Sequence, residues 1–189
     1  LGLACLILII ACTTGCISFA ANLMGVIRGN TRPAEYEGLE GKRVALICVS
    51  ESGLDVDNVS SMLTSYMQAN INSHIDEIDL VRQSEIERWL ERHASEAEEF
   101  VEVGKGVKAE KLIAVEVENL TLKDGATLYK GQCDISVSVF DVPSGKIEFR
   151  KQLPEFAYPT IGGPSITDTT DAKFRGLFLS VLADKISGL

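Results

Sequence analysis

The spacing of apolar positions changes several times along the chain, and each change marks a different kind of element. Lys42 to Ser50 holds an unbroken apolar run from Val44 to Val49, which predicts a buried strand. Glu51-Ser52-Gly53-Leu54-Asp55 is turn-like, and Asp57 is placed to cap a helix. In that helix Val59, Met62, Leu63, Tyr66, Met67 and Ile71 recur at three- and four-residue steps, so one face packs on the core. Ile78 to Val81 reads as a short second strand. Ser84 and Glu87 form a capping-box pattern ahead of Ile86, Trp89 and Leu90, and a further helical segment with Ala97, Phe100 and Val101 ends near Gly104 and Gly106.

From Leu112 to Leu122 the period becomes two. Ile113, Val115 and Val117 alternate with Glu116 and Glu118, and Asp124-Gly125 marks a hairpin turn. The next strand sets Cys133, Ile135, Val137 and Val139 against Asp134, Ser136 and Ser138, and Pro143-Ser144-Gly145 turns into a strand at Ile147–Arg150. Three prolines and Gly162-Gly163 predict a loop over Pro154–Pro164. Asp168 or Thr170 caps a last helix with the stripe Phe174, Leu177, Phe178, Val181, Leu182 and Ile186. The order β-α-β-α-α-β-β-β-α predicts one α/β (α+β) sandwich: a mixed, mostly antiparallel sheet with helices on one face.

Ahead of this domain lies a different kind of segment. No charged residue occurs from Leu1 to Ile27, and Leu3 to Ala11 is almost wholly aliphatic, so this run must leave water. The chain does not begin with methionine, and a basic leading segment is expected upstream. Thr13-Thr14-Gly15-Cys16 resembles a lipobox, whose cysteine receives diacylglycerol and becomes the mature amino terminus. Ile9-Ile10-Ala11-Cys12 also fits that pattern, so Cys16 is the expected lipidation site with Cys12 the alternative. The apolar character continues through Ile17–Ala21 to Ile27, long enough for a spanning helix, with Arg28, Arg32, Lys42 and Arg43 behind it. The expected organisation is residues 1–16 as signal and anchor, 17–41 as tether and 42–189 as the domain. The membrane contact is then a lipid anchor or an amino-terminal helix, and the expected location is the cell envelope, facing the periplasm.

Composition narrows the function classes. A net charge of -9 on 189 residues opposes binding to nucleic acid through phosphate neutralisation. Of five cysteines, three lie in the leader, leaving Cys48 and Cys133 in strand-like runs as buried thiols or as one disulfide. With no C-x-x-C pair and with His74 and His93 far apart, neither a zinc site nor any other metal or cofactor is expected.

Three segments carry a resemblance: Lys42-Arg43-Val44-Ala45-Leu46, Gly104-Lys105-Gly106-Val107-Lys108-Ala109-Glu110-Lys111-Leu112-Ile113, and Val137-Ser138-Val139-Phe140-Asp141-Val142-Pro143-Ser144-Gly145-Lys146. With the element order, they are similar to the periplasmic α/β domain of the curli-secretion lipoprotein, of the amino-terminal part of the Tol-Pal propeller protein, and of lipoproteins that activate penicillin-binding proteins. Glu110 and Ser144 stand where those families have aspartate and threonine, and the pore-forming segments of the curli protein are not evident. Pro33-Ala34-Glu35-Tyr36 and Leu153-Pro154-Glu155-Phe156 further resemble uncharacterised lipoproteins of planctomycete-type bacteria. The resemblance implies an envelope partner and no chemistry.

The residues agree with that implication. A P-loop, a nucleophile elbow and a dinucleotide fingerprint are all missing from the sequence. Glu96, Glu98, Glu99 and Glu102 read as a solvated helical face. Glu116, Glu118 and Asp134 share an exposed sheet face, where little burial is expected to shift their pKa values for acid–base work. Phe156, Tyr158 and Ile161 lie in the expected loop, where aromatic and aliphatic side chains serve as interface anchors. The expected function is therefore a non-catalytic interaction or assembly module, binding an envelope protein or its own copies. A small-ligand or hydrolytic domain is the alternative, and it requires a pocket of convergent polar groups.

Overall fold

A computed structural model of the protein describes residues 35–50, 58–93 and 99–188. The leader with Cys12 and Cys16, most of the tether, the turn with Asp57, and Glu96, Ala97 and Glu98 lie outside the described residues. The order is β1 (Arg43–Ser50), α1 (Asn58–His74), β2 (Asp79–Leu80), α2 (Gln83–Arg92), α3 (Phe100–Gly106), β3 (Lys111–Asp124), β4 (Leu128–Asp141), β5 (Lys146–Tyr158) and α4 (Asp171–Ser187). The strands form one mixed sheet in the order β2-β1-β3-β4-β5, with β1 parallel to β2 and β3, and the other pairs antiparallel. The fold is the α+β class read from the pattern.

Register explains how the core is built. Leu46, Ile113 and Val139 align across the sheet with Phe149, and Cys48, Val115 and Val137 form the next row. These rows meet Leu63, Met67 and Ile71 of α1 and Phe174, Phe178 and Leu182 of α4 in the main core. The opposite face is not bare throughout. Ala45, Ile47, Leu112 and Ala114 pack there against Ile86 and Trp89 of α2 and Val103 of α3. One-sided cover therefore describes only the far end of the sheet, where Glu116 aligns with Ser136 and Glu118 with Asp134. At the near end β1 is apolar on both faces, as a strand buried in two directions must be.

Three local expectations change, and one left open between two residues is resolved. Helix α2 begins at Gln83 after an extended Arg82 and has no side-chain cap, so Ser84 lies inside its first turn and the capping box does not form. Thr170, rather than Asp168, caps α4 by accepting from the Lys173 N–H. Strand β5 runs through Pro154 to Tyr158, so Phe156 and Tyr158 are strand residues and the loop begins after them. Proline is tolerated because β5 is an edge strand and a register shift falls there. The extra β5 residue needs a left-handed backbone, supplied by Glu155 at φ 51°, whose N–H bonds Asp134 Oδ1 at 2.7 Å.

The third change concerns the tether, expected to run to residue 41. The compact unit starts at Glu35. Leu39 is only 1% exposed inside the main core. Tyr36 stacks at a tilt on Phe149 with ring centroids 5.7 Å apart, and Glu35 pairs with Lys151 at 2.8 Å. Residues 35–39 therefore form a strap over β5, on the face that α1 and α4 cover elsewhere.

Candidate functional site

Beneath the strap lies a polar cluster assembled from four elements. Lys111, 8% exposed at the start of β3, places Nζ 3.0 Å from Asp141 Oδ1 and 2.6 Å from Glu148 Oε2. The Tyr36 hydroxyl donates to the same Glu148 oxygen. Asp141 also accepts from the Ser144 N–H at 3.1 Å and the Ser144 hydroxyl at 2.5 Å. Burial draws the Lys111 pKa down, but its bonds to Glu148 and Asp141 outweigh this and hold it above the ordinary value. The Ser144 hydroxyl, and then Lys111, pull the Asp141 carboxyl down to about 2. Lys111, then Tyr36, lower Glu148. One ammonium is shared by two carboxylates, whose remaining charge is met by the Tyr36 and Ser144 donors, and no group is poised to exchange a proton near neutrality. This is a structural latch.

The latch explains the motifs. In Asp141-Val142-Pro143-Ser144-Gly145, Ser144 supplies the hydroxyl that closes the turn, and Gly145 takes φ 71° where its N–H reaches the Asp141 carbonyl at 2.8 Å. In Gly104-Lys105-Gly106 the glycines allow contact: a Cβ on Gly106 would lie 1.9 Å from Trp89 Nε1. The Lys111–Asp141–Glu148–Tyr36 set went unseen in the sequence because its members lie up to 112 positions apart, as between Tyr36 and Glu148.

The three carboxylates foreseen on the open sheet face do share it. Glu118 and Asp134 are direct cross-strand partners, and Glu116 lies one row along. Asp134 is committed to the β5 bulge through the Glu155 N–H, and to Asn119 Nδ2 at 2.7 Å, which together hold its pKa below the usual carboxylate range. It is a turn-former kept ionised. A carboxyl general acid needs the opposite shift.

The three side chains foreseen as interface anchors separate. Phe156 packs on Phe178 with centroids 5.8 Å apart, and both it and Tyr158 border the main core. Ile161 stands alone, 92% exposed. The loop carrying it is fastened at the start of β4: Tyr129 N–H bonds the Pro164 carbonyl at 2.9 Å and Ile166 N–H the Thr127 carbonyl at 3.1 Å, the pair that makes the Leu128–Ser165 bridge. Glycine is required at 163, where a Cβ would lie 1.9 Å from the Tyr129 carbonyl oxygen.

The remaining candidate groups have structural surroundings. Cys48 and Cys133 are free and buried, and burial pushes both thiols up to about 12. Their register puts them two strands and four residues apart, roughly 16 Å, well beyond disulfide reach. His93 stacks on Trp89 with centroids 4.6 Å apart and sets Nδ1 2.9 Å from the Trp89 carbonyl oxygen. Among the described residues no group of three or more His, Cys, Asp or Glu side chains could hold a metal ion. Among them, too, no helix is long and apolar enough to cross a membrane.

A five-stranded mixed sheet with two long helices on one face and two short helices on the other defines a small α+β domain, a fold also seen in solved structures of bacterial lipoproteins. Lipoprotein GNA1162 from Neisseria meningitidis matches 78% of this chain and 99% of its own at a TM-score of 0.50, with 7% identity. The PelC dodecamer protein from Paraburkholderia phytofirmans matches 82% of this chain and 91% of its own, at TM-score 0.46 and 10% identity. The LpoB C-terminal domain from Salmonella enterica matches 63% and 86%, at TM-score 0.44 and 10% identity. At such identities the likeness is one of fold. No protein-family model and no curated protein sequence matches the chain.

Proposed function

We propose that the chain is a membrane-anchored lipoprotein of the bacterial cell envelope, attached through Cys16, whose α+β domain is a non-catalytic protein-interaction module. The supporting fold likeness is to a lipoprotein. The resemblance of the leader to a lipobox supports the anchor, and the domain then faces the periplasm. Membership among planctomycete-type lipoproteins rests on sequence resemblance alone.

The observation that carries the interaction reading is Ile161. An isoleucine 92% exposed buries almost nothing on folding, yet its loop is fastened beside the start of β4 by two backbone hydrogen bonds. A side chain displayed on a fixed support loses little freedom on docking, which favours use as an anchor. Phe156 and Tyr158 leave the proposed surface, because their rings serve the core.

The test is in-cell cross-linking in the native envelope, comparing wild type with Ile161→Asp at matched expression. The expected outcome is loss of at least one cross-linked product with the melting temperature unchanged. An identical set of products in the two strains would refute the loop as the contact surface.

A further inference from the structure

Asp134 sits at the row where both neighbours of β4 gain a residue. From Glu118 to Thr121 β3 takes three steps against the two of β4 from Asp134 to Gln132. From Leu153 to Phe156 β5 likewise takes three against the two from Ile135 to Cys133. Each stretch contains a left-handed residue, Asn119 at φ 52° and Glu155 at φ 51°. Asp134 holds both: Oδ2 accepts from Asn119 Nδ2 at 2.7 Å, and Oδ1 accepts from the Glu155 N–H at 2.7 Å. One carboxylate therefore pins a bulge on each side of its own strand.

The extra residues decide which side chains face the main core. Val115 and Val117 of β3 lie in it before this row, and Leu120 and Leu122 pack against it beyond. On β5 the series is Phe149 and Leu153, then Phe156 and Tyr158. A strand that kept its period of two through either row would send the second pair to the opposite face. Left-handed backbone is costly for a residue with a side chain, so each bulge gains from a partner that holds it. Bulges also bend and twist the strands that carry them. The sheet end beyond Asp134, with Tyr129, Tyr158 and the loop that presents Ile161, therefore takes its direction from this row.

We propose that Asp134 is the positioning residue of the Ile161 surface. By pinning the bulges of β3 and β5, it fixes the register of both strands and the angle at which the loop after β5 meets a partner. It acts through those strands and needs no contact with the partner itself. The consequence in the envelope rests on the interaction reading, whereas the pin is measured without any partner.

Two measurements test it. Triple-resonance NMR of the full chain in detergent micelles reads the pin. Wild type should show left-handed carbon shifts at Asn119 and Glu155, and a Glu155 amide proton displaced downfield by its bond to a carboxylate. Asp134→Ala should lose these signatures, whereas Asp134→Asn, which still accepts from the Glu155 N–H, should keep the left-handed shifts at 155. Leu39→Ala, which loosens the core without touching either bulge, should leave them in place. In-cell cross-linking in the native envelope reads the consequence. The product lost in Ile161→Asp should be lost in Asp134→Ala, and kept in Asp134→Asn and Leu39→Ala at matched expression. Should Asp134→Ala fail to fold, Asn119→Ala decides in its place, losing the left-handed shifts at 119 while 155 keeps its own. Left-handed shifts that survive at both positions in Asp134→Ala, or at 119 in Asn119→Ala, would overturn the pin. A product kept in Asp134→Ala but lost in Ile161→Asp would overturn the positioning role and leave the interaction reading standing. Loss in Leu39→Ala as well would mark general destabilisation and overturn it too. A product kept in Ile161→Asp would refute the interaction reading instead, and the NMR would still decide the pin.

Discussion

Replacing Leu39 by alanine separates a strap from a tether. Leu39 is 1% exposed and belongs to the main core between α1, α4 and the sheet, although it precedes the first strand. Burying a leucine side chain contributes about 2–3 kcal/mol by transfer alone, and the cavity left by truncation adds to this. Fully buried Leu→Ala changes cost roughly 2–5 kcal/mol. The strap is short and can settle into part of the space, so the expected loss is about 3 kcal/mol. That is a large share of a typical total of ~5–15 kcal/mol, and corresponds to a fall in Tm of roughly 6–12 °C. Urea unfolding followed by far-UV circular dichroism reads the loss, with wild type and variant at matched concentration. The midpoint should fall with the slope unchanged, because the surface exposed on unfolding hardly alters. Were residues 17–41 a solvated tether, the variant would lie within about 0.5 kcal/mol of wild type. That result would refute the placement of the strap.

Further outcomes follow from the same packing. Gly131→Ala is expected to cost about 1–3 kcal/mol, because its Cβ would lie 2.0 Å from Phe178 Cδ2, and wild-type stability in urea would contradict the contact. Acid should unfold the domain through its carboxylates. Asp141 is held down at about 2 and Glu148 is lowered, so the folded state binds these protons less readily than the unfolded chain. Their stabilisation is present above the ordinary carboxylate range and is lost as pH falls through it toward about 2; Asp141→Asn should flatten that part of the curve, and an unchanged acid limb would argue against the latch. Cys48 and Cys133 should resist iodoacetamide at pH 8 until the domain is unfolded, as mass spectrometry of the alkylated protein would show.

What the sequence disclosed, and what it hid, follows from the range over which each interaction acts. Strands β1, β3 and β4 and helices α1 and α4 announce themselves because burial of one face imposes a period on neighbouring residues. Strand β5 was cut short at Pro154 because proline and glycine argue for a loop locally. The edge position and bulge that accommodate Pro154 depend on a partner strand 20 residues away. The same limit hid the strap: Leu39 sits among Gly38, Glu40 and Gly41, and nothing nearby signals a core position. Second-face cover by α2 and α3 was missed for a related reason. Ala45, Ile47 and Ala114 are small or aliphatic residues in an unbroken run, which is the mark of two-sided burial without naming what covers the second side. Of the foreseen contact residues, Ile161 and the carboxylates Glu116, Glu118 and Asp134 keep to the surface, while Phe156 and Tyr158 turn partly into the core that α4 closes.

Anchoring is the claim on which location and partner class depend, and mass spectrometry of the mature amino terminus tests it most directly. Wild type, Cys16→Ser and Cys12→Ser would be compared. The account predicts a chain beginning at acylated Cys16, with the modification lost in Cys16→Ser and kept in Cys12→Ser. Loss with Cys12→Ser alone would move the anchor by four residues. An intact, unacylated leader in all three would contradict the lipoprotein reading and favour a spanning helix instead.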